Sequence, residues 1–386
     1  MEKLVPLMFS CLGFSLFLLY SPNPFNHFHH HNPNLEEDNE KCDFFRGNWV
    51  PEVNGVIRYT NSSCATIPES KNCFRNGRQD TDFLNWRWKP DKCDLPSFDS
   101  REFLDIVRGK IMAFVGDSVA RNHVESLLCL LSQEEVPIDV YKDAQDRNRI
   151  WHFPSYDFTL KILWTKFLVS GEERMINGSS SGVFDLYLDK VDNSWSRAIN
   201  NIDYIIISAG HWLFRPIYLH KDRKVIACVY CNEPNITDRG VNFAVRMIFR
   251  AALNRINSCK KCKGSVTLLR TFSPSHFEDG FWNTGGSCNR TSPFGKSKID
   301  LTSREWELRT MQVEELERVN KIQRGKKFEA LDVTRAMLMR PDGHPGAYWG
   351  NKWMKGYNDC VHWCLPGPID LWNDMLLALL RKRLFT

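Results

Sequence analysis

The sequence predicts an α/β protein, a parallel sheet flanked by helices, with a small cysteine-rich module in front of it. Three observations carry this. Short apolar runs bounded by Gly or polar residues recur from about Asp99 onward, as buried parallel strands do. Segments with apolar residues at helical spacing alternate with them, and such alternation implies a parallel sheet. Before Asp99, four cysteines stand among Gly, Pro, Asn and Trp-rich turns.

The elements follow in order. Leu4 to Tyr20 is an uncharged apolar stretch, at the short end of a membrane span. Ser-Pro-Asn-Pro-Phe follows it with no small-residue cleavage pattern, so residues 1–20 read as an uncleaved signal anchor rather than a cleaved signal. Residues 21–41 lack apolar periodicity and read as a flexible stem; the HFHHH cluster there has no second ligand group and is not read as a metal site. Residues 42–98 hold Cys42, Cys64, Cys73 and Cys93 and read as a disulfide-stapled module, its pairing open to partners elsewhere in the chain. Residues 99–386 form the α/β part. Lys110–Gly116, Asp203–Ala209, Ser265–Thr271 and Glu329–Thr334 are the expected strands. Ser118–Leu131, Asn242–Ile256, Glu305–Ile322 and Ile369–Lys382 are the expected helices.

Composition narrows the function. With 386 residues and 42% apolar content the chain can bury a full core. A net charge of +5 spread over that length does not mark a nucleic-acid binder, which concentrates basic residues on one face. Of thirteen Trp, most belong in the core, and three or four are expected to meet ligand. Sequons at Asn61, Asn177, Asn235 and Asn289, and twelve cysteines beyond the apolar segment, place the body of the chain in an oxidising, glycosylating compartment. Cys228-x-x-Cys231 and Cys259-x-x-Cys262 have the double spacing of a zinc site, but in such a compartment disulfides are the better reading, and no metal is expected.

The chemistry centres on Ala-Phe-Val-Gly-Asp-Ser-Val-Ala-Arg-Asn, residues 113–122. Ser at a strand-to-helix turn is first of all a good N-cap. It also stands where free amides and the helix dipole stabilise an anion, which suits a nucleophile attacking an acyl carbonyl. Gly116 permits the tight turn. The segment is not the G-x-S-x-G elbow, because Ala120 replaces the second Gly.

A serine nucleophile needs a base, and the base an orienting acid. Near the C-terminus, Asp359 and His362 stand three residues apart, within reach of each other in a tight turn. Cys360 and Cys364 bracket them and could pin that loop. His276 and His344 are rival bases without an acid at the same spacing, and are expected to line the groove or pack.

GDSVARN (116–122) and DCVHWCLPGPIDLWN (359–373) together resemble the plant trichome birefringence-like family, polysaccharide O-acetyltransferases within the GDSL/SGNH superfamily. The resemblance covers roughly residues 42–386 and includes SAGHW (208–212), SPSHFEDGFW (273–282) and RPDGHPGAY (340–348). It implies an SGNH-hydrolase-like fold and a Ser118, His362, Asp359 triad. It also implies a single-pass type II Golgi membrane protein with a lumenal catalytic domain. It implies no bound cofactor but an acetyl donor, acetyl-CoA or another lumenal donor, with a membrane protein supplying that donor as a partner. The acceptor is a cell-wall polysaccharide, and GPIDLWN is more similar to members linked to xyloglucan than to xylan. The Asn-bearing block that supplies an oxyanion donor in ordinary SGNH hydrolases is not evident. Gly116, Asp117, Arg121, Gly210 and His211 are the candidates for oxyanion or substrate binding. A carbohydrate acetylesterase with the same residues and a non-catalytic wall-polysaccharide (pectin) binding or bridging protein are the competing readings.

Overall fold

A computed structural model of the chain describes residues 42–52, 57–262, 264–323, 325–350 and 356–384. The expected anchor (1–20), stem (21–41) and HFHHH cluster lie outside the described residues. Among the described residues no helix is long and apolar enough to cross a membrane.

The strands are β1 (Gly47–Pro51), β2 (Trp86–Pro90), β3 (Ile111–Gly116), β4 (Ile138–Lys142), β5 (Arg149–Phe153), β6 (Phe158–Trp164), β7 (Val169–Ile176), β8 (Ser179–Val191), β9 (Tyr204–Ser208), β10 (Ile217–Lys221), β11 (Lys224–Val229), β12 (Val266–Arg270) and β13 (Lys327–Leu331). The helices are α1 (Ser100–Ile106), α2 (Ser118–Leu131), α3 (Asn193–Ser196), α4 (Gly240–Ser258), α5 (Arg304–Lys321), α6 (Thr334–Leu338) and α7 (Leu371–Leu384).

The central sheet has the order β13-β12-β9-β3-β6-β5-β4. Its first five strands run parallel, and β5 and β4 close it antiparallel. β3 lies in the middle. Its residues alternate between two cores: Met112 and Phe114 pack with α1, α2 and α7, whereas Ala113 and Val115 face the cluster that holds α4 and α5. Each fully buried Phe or Met contributes about 1.5–3 kcal/mol. α4 shows why it packs there: Val241, Ala244, Val245, Ile248, Phe249, Ala252 and Ile256 are buried, a stripe of spacing three and four.

Three features of the sheets were not foreseen, the first being that β4, β5 and β6 join the four expected strands in the central sheet. A four-stranded sheet, β11-β10-β8-β7, covers residues read as neither strand nor helix, and β1 pairs with β2 as a small antiparallel ribbon. The cysteine-rich module is also stapled outward. Cys64 bonds to Cys129 of α2, and Cys73 to Cys364 beyond Asp359 and His362. Cys228–Cys231 and Cys259–Cys262 are disulfides, and Cys288 bonds to Cys360. All twelve cysteines past the N-terminal apolar stretch are disulfide-bonded. The four sequon asparagines are exposed.

Candidate active site

Gly116 ends β3 opposite Trp164 of β6 and Ser208 of β9. A Cβ at Gly116 would collide with the Ser208 carbonyl oxygen, so only glycine lets the neighbouring strands close at this point. The chain then turns into α2. Asp117 is the N-cap: its Oδ1 accepts from the Val119 amide at 3.0 Å. Ser118 is therefore not the cap but the first helical residue, half-buried at the N-terminus of α2.

The Asp359 turn forms as the spacing predicts. Asp359 Oδ1 accepts from the amides of Val361 and His362 at 3.1 and 3.0 Å, and Oδ2 lies 2.8 Å from His362 Nδ1. Burial pushes the Asp359 carboxyl up, but the His362 ring and those two amides outweigh it and hold it well below the usual carboxylate range. The carboxylate fixes the proton on Nδ1 and leaves the Nε2 lone pair free. Nε2 is buried and has no hydrogen-bond partner among the described residues.

One residue connects this turn to the serine. Asn122 lies four residues after Ser118, on the same face of α2, and is fully buried. Its Oδ1 accepts from the Trp363 amide at 2.7 Å, and its Nδ2 donates to the Trp363 carbonyl at 3.3 Å. The backbone next to His362 is thus clamped onto the helix that begins with Ser118. No sequence signal singled out Asn122; only its place in GDSVARN, one turn past the serine, pointed toward it.

The loop is fixed from behind as well. Cys360 and Cys364 are both in disulfides, as their bracketing positions suggested. The Asp359 and Gly346 main chains exchange hydrogen bonds at 2.9 Å. The Trp363 indole donates to Ser273 Oγ at 2.8 Å and stacks on His344 with centroids 4.1 Å apart. His344 Nδ1 donates to the His362 carbonyl at 2.7 Å, and its Nε2 lies 2.7 Å from His276 Nδ1. Burial lowers His276 to about 4 and His344 well below its ordinary value. Both nitrogens of each ring are engaged, His276 Nε2 lying 3.3 Å from the Leu338 carbonyl, so the two rings support the His362 segment as packing groups rather than offering a free base. Asp342, the acid nearest His344 in sequence, is bound to Arg340 in a buried pair.

The other candidates are placed differently from expectation. Arg121 directs its guanidinium to Glu125 and Asp146, tying α2 to the 143–148 loop. His211 is not an open donor. Its Nδ1 lies 3.3 Å from Asp117 Oδ2 and its Nε2 2.9 Å from the Ser273 carbonyl, so it braces the GDS turn against the end of β12. Asp117 is buried; His211 and Arg270 outweigh that burial and keep its carboxyl below the usual range. Gly210, at φ 135°, sits just past the end of β9 beside that turn. There it remains a candidate to present its amide.

A central parallel sheet with a Gly-Asp-Ser turn at one strand end and an Asp-x-x-His turn docked on the following helix defines a GDSL/SGNH-like α/β protein. Residues 95–379 match the model of the GDSL/SGNH-like acyl-esterase family found in Pmr5 and Cas1p, and residues 40–94 match the PMR5 N-terminal domain. The chain belongs to that family. It is 67% identical to xyloglucan O-acetyltransferase 4 of Populus trichocarpa, over 99% of this chain and 93% of that one. It is 56% identical to xyloglucan O-acetyltransferase 2 of Arabidopsis thaliana, over 96% and 90%. Identity to the Arabidopsis protein trichome birefringence-like 20 is 46%, over 89% and 72%. Among the described residues no cluster of metal-ligating side chains is present.

Proposed function

We propose that this chain is an O-acetyltransferase that acetylates hydroxyls of a plant cell-wall polysaccharide, with xyloglucan as the acceptor, through an acetyl-serine intermediate. The observation that carries the mechanism is the buried, unpartnered Nε2 of His362, with Asp359 on its other nitrogen and Asn122 clamping its loop to the Ser118 helix. The identity to two xyloglucan O-acetyltransferases supports the acceptor.

In the first half-reaction His362 Nε2 takes the Ser118 hydroxyl proton while Oγ attacks the acetyl carbonyl. The tetrahedral oxyanion is met by the Ser118 amide at the helix N-terminus and by the Gly210 amide. The donor's leaving group departs with the proton from His362, and acetyl-Ser118 remains. In the second half-reaction His362 deprotonates a sugar hydroxyl, which attacks the ester carbonyl. Collapse returns the proton to Ser118 Oγ and releases acetylated sugar. Transfer rather than hydrolysis requires that sugar be positioned and water excluded at this step.

The same reading places the protein in the Golgi membrane, held by the apolar segment Leu4–Tyr20 with the catalytic domain in the lumen, and it includes a membrane protein that supplies the donor. A fluorescent fusion and protease protection of intact vesicles check this placement; a tag cleared from the lumenal end by external protease would refute it.

The activity is tested with the full-length chain, a small acetyl ester and a xyloglucan oligosaccharide. Acetylated oligosaccharide by mass spectrometry is the expected product, and Ser118→Ala is expected to abolish it. Acetate alone would make the protein a carbohydrate acetylesterase. No acetylated product and no acetate, with the biological effect unchanged in Ser118→Ala, would leave a polysaccharide-binding role as the better account; full transfer in Ser118→Ala would refute the acetyl-serine intermediate.

A further inference from the structure

The edge of the central sheet that presents Ser118 also carries a group of unpaired cations. β3 and β6 are in register at Gly116 and Trp164, and Ser118 and Lys166 each follow two residues later. On the other side β9 is in register at Ser208, and the segment beyond it brings Trp212 and Arg215. The Lys166 ammonium lies 4.6 Å from the Trp212 ring centroid, and the Arg215 guanidinium 4.2 Å from the same centroid. Both also reach Phe184, at 5.0 and 5.5 Å. Arg147 lies over Trp164 at 4.8 Å.

These cations contact the fold through aromatic rings and not through carboxylates. Among the described residues none of the three makes an ion pair, although most other buried or half-buried arginines here do. Arg215 Nε is buried and has no hydrogen-bond partner. Glu173 is the carboxylate whose charge reaches Lys166 and Arg215, but it accepts from the Ser180 hydroxyl and the Gly182 amide instead. Burial lowers Lys166 and so does repulsion from Arg147 and Arg215; burial also lowers Arg215. The ring faces attract both cations, but the two repel each other, and an anion between them would relieve that repulsion.

We propose that Lys166 and Arg215, seated on Trp212, form a subsite for a phosphate group of the acetyl donor, which would make the physiological donor a phosphate-bearing acetyl compound such as a coenzyme A thioester. The inference rests on the transferase reading. Xyloglucan is a neutral polymer and brings no charge to this edge, so the donor is the reactant that requires cations. Arg147, exposed on the same side, adds long-range attraction for the same anion.

The test uses the full-length chain with acetyl-CoA and with p-nitrophenyl acetate as donors. Lys166→Gln and Arg215→Gln are each expected to raise the ratio of the two KM values, acetyl-CoA over p-nitrophenyl acetate, by about tenfold. That corresponds to about 1.4 kcal/mol, the lower end of a charge-assisted bond. Equilibrium dialysis of coenzyme A should show its dissociation constant rising by the same factor. Lys166→Arg should recover most of the loss, and thermal melting checks that each variant is folded. An unchanged ratio with unchanged coenzyme A binding overturns the proposal. So does an effect that appears in the KM of the oligosaccharide acceptor, or in competition by a uronate-containing oligosaccharide, because the anion would then belong to the acceptor. Coenzyme A binding that depends on both cations without any sugar acetylation would sink the transferase reading and leave the subsite standing. Sugar acetylation from p-nitrophenyl acetate with no coenzyme A binding would do the reverse.

Discussion

Asn122→Ala tests the link on which the site depends. The side chain is fully buried and makes two hydrogen bonds to the Trp363 main chain, one accepted and one donated. Truncation leaves the Trp363 amide and carbonyl without those partners. Each unsatisfied buried group costs about 1–3 kcal/mol, and the weaker 3.3 Å bond sits at the low end, so the total loss is about 3 kcal/mol. In a chain of 386 residues that is a fall in melting temperature of roughly 3–5 °C. The kinetic effect is separate. Released from α2, the Asp359–His362 turn shifts relative to Ser118, and a displacement near 1 Å costs on the order of 100-fold in rate. Differential scanning fluorimetry and steady-state transfer to a xyloglucan oligosaccharide read the two effects. Below the melting transition, kcat should fall about 100-fold while the acceptor KM moves by less than about threefold, because Asn122 touches the loop and not the sugar. A variant that melts early but keeps kcat within twofold of the parent would show that Asn122 only fills the core, and the proposed coupling between α2 and His362 would be wrong.

Asp359→Asn keeps the shape of the turn but removes the charge that fixes the His362 tautomer. The amide NH2 can face Nδ1, which turns Nε2 into a donor, and kcat should fall by on the order of 1,000- to 10,000-fold with KM little changed. A loss under tenfold, read in the same transfer assay, would mean that Asp359 is not the orienting acid. Asp370 supplies a test by pH. Burial outweighs Arg58, Ser126 and Tyr59 and raises its carboxyl from 3.8 to about 6. A raised folded value means that the stabilisation is fully present below about pH 3.8 and is lost as pH rises through about 6. The span of roughly two units corresponds to about 3 kcal/mol. Urea unfolding at pH 4 and pH 6.5 should therefore show Asp370→Asn gaining on the parent by up to that amount as pH rises; a difference that is constant with pH would refute the assigned environment.

The parts of the fold that were legible share a physical cause. β3, β9 and β12 are buried on both faces, so their apolar runs stand out, and each lies within about one residue of its expected position; β13, at the sheet edge, runs Lys327–Leu331, two to three residues before the expected Glu329–Thr334. α4 and α5 carry apolar stripes set by one-sided packing, and α2 is buried almost all round; all three were equally visible. Ile369 proved to belong to a short 3-10 turn that precedes α7. β7, β8, β10 and β11 were not expected. β7 buries few residues and carries Glu172, Glu173 and Arg174 in succession, and β8 keeps one face wet; β10 and β11 do hold short apolar runs, Ile217–Leu219 and Val225–Val229, which the expected elements did not include.

By itself the sequence determined the candidate nucleophile, a candidate Asp-x-x-His turn and a cysteine set suited to disulfides, because each is written in neighbouring residues or in a count: a Gly-Asp-Ser turn, an acid three positions from a histidine, an even set of cysteines. The tertiary structure decided what those residues touch. It committed Arg121 to Glu125 and Asp146 and His211 to Asp117, paired Cys73 with Cys364 across 291 residues, and set Asn122 against Trp363. Contacts of that kind depend on side-chain direction and on segments distant in the chain meeting at one strand end, and local spacing holds no record of either.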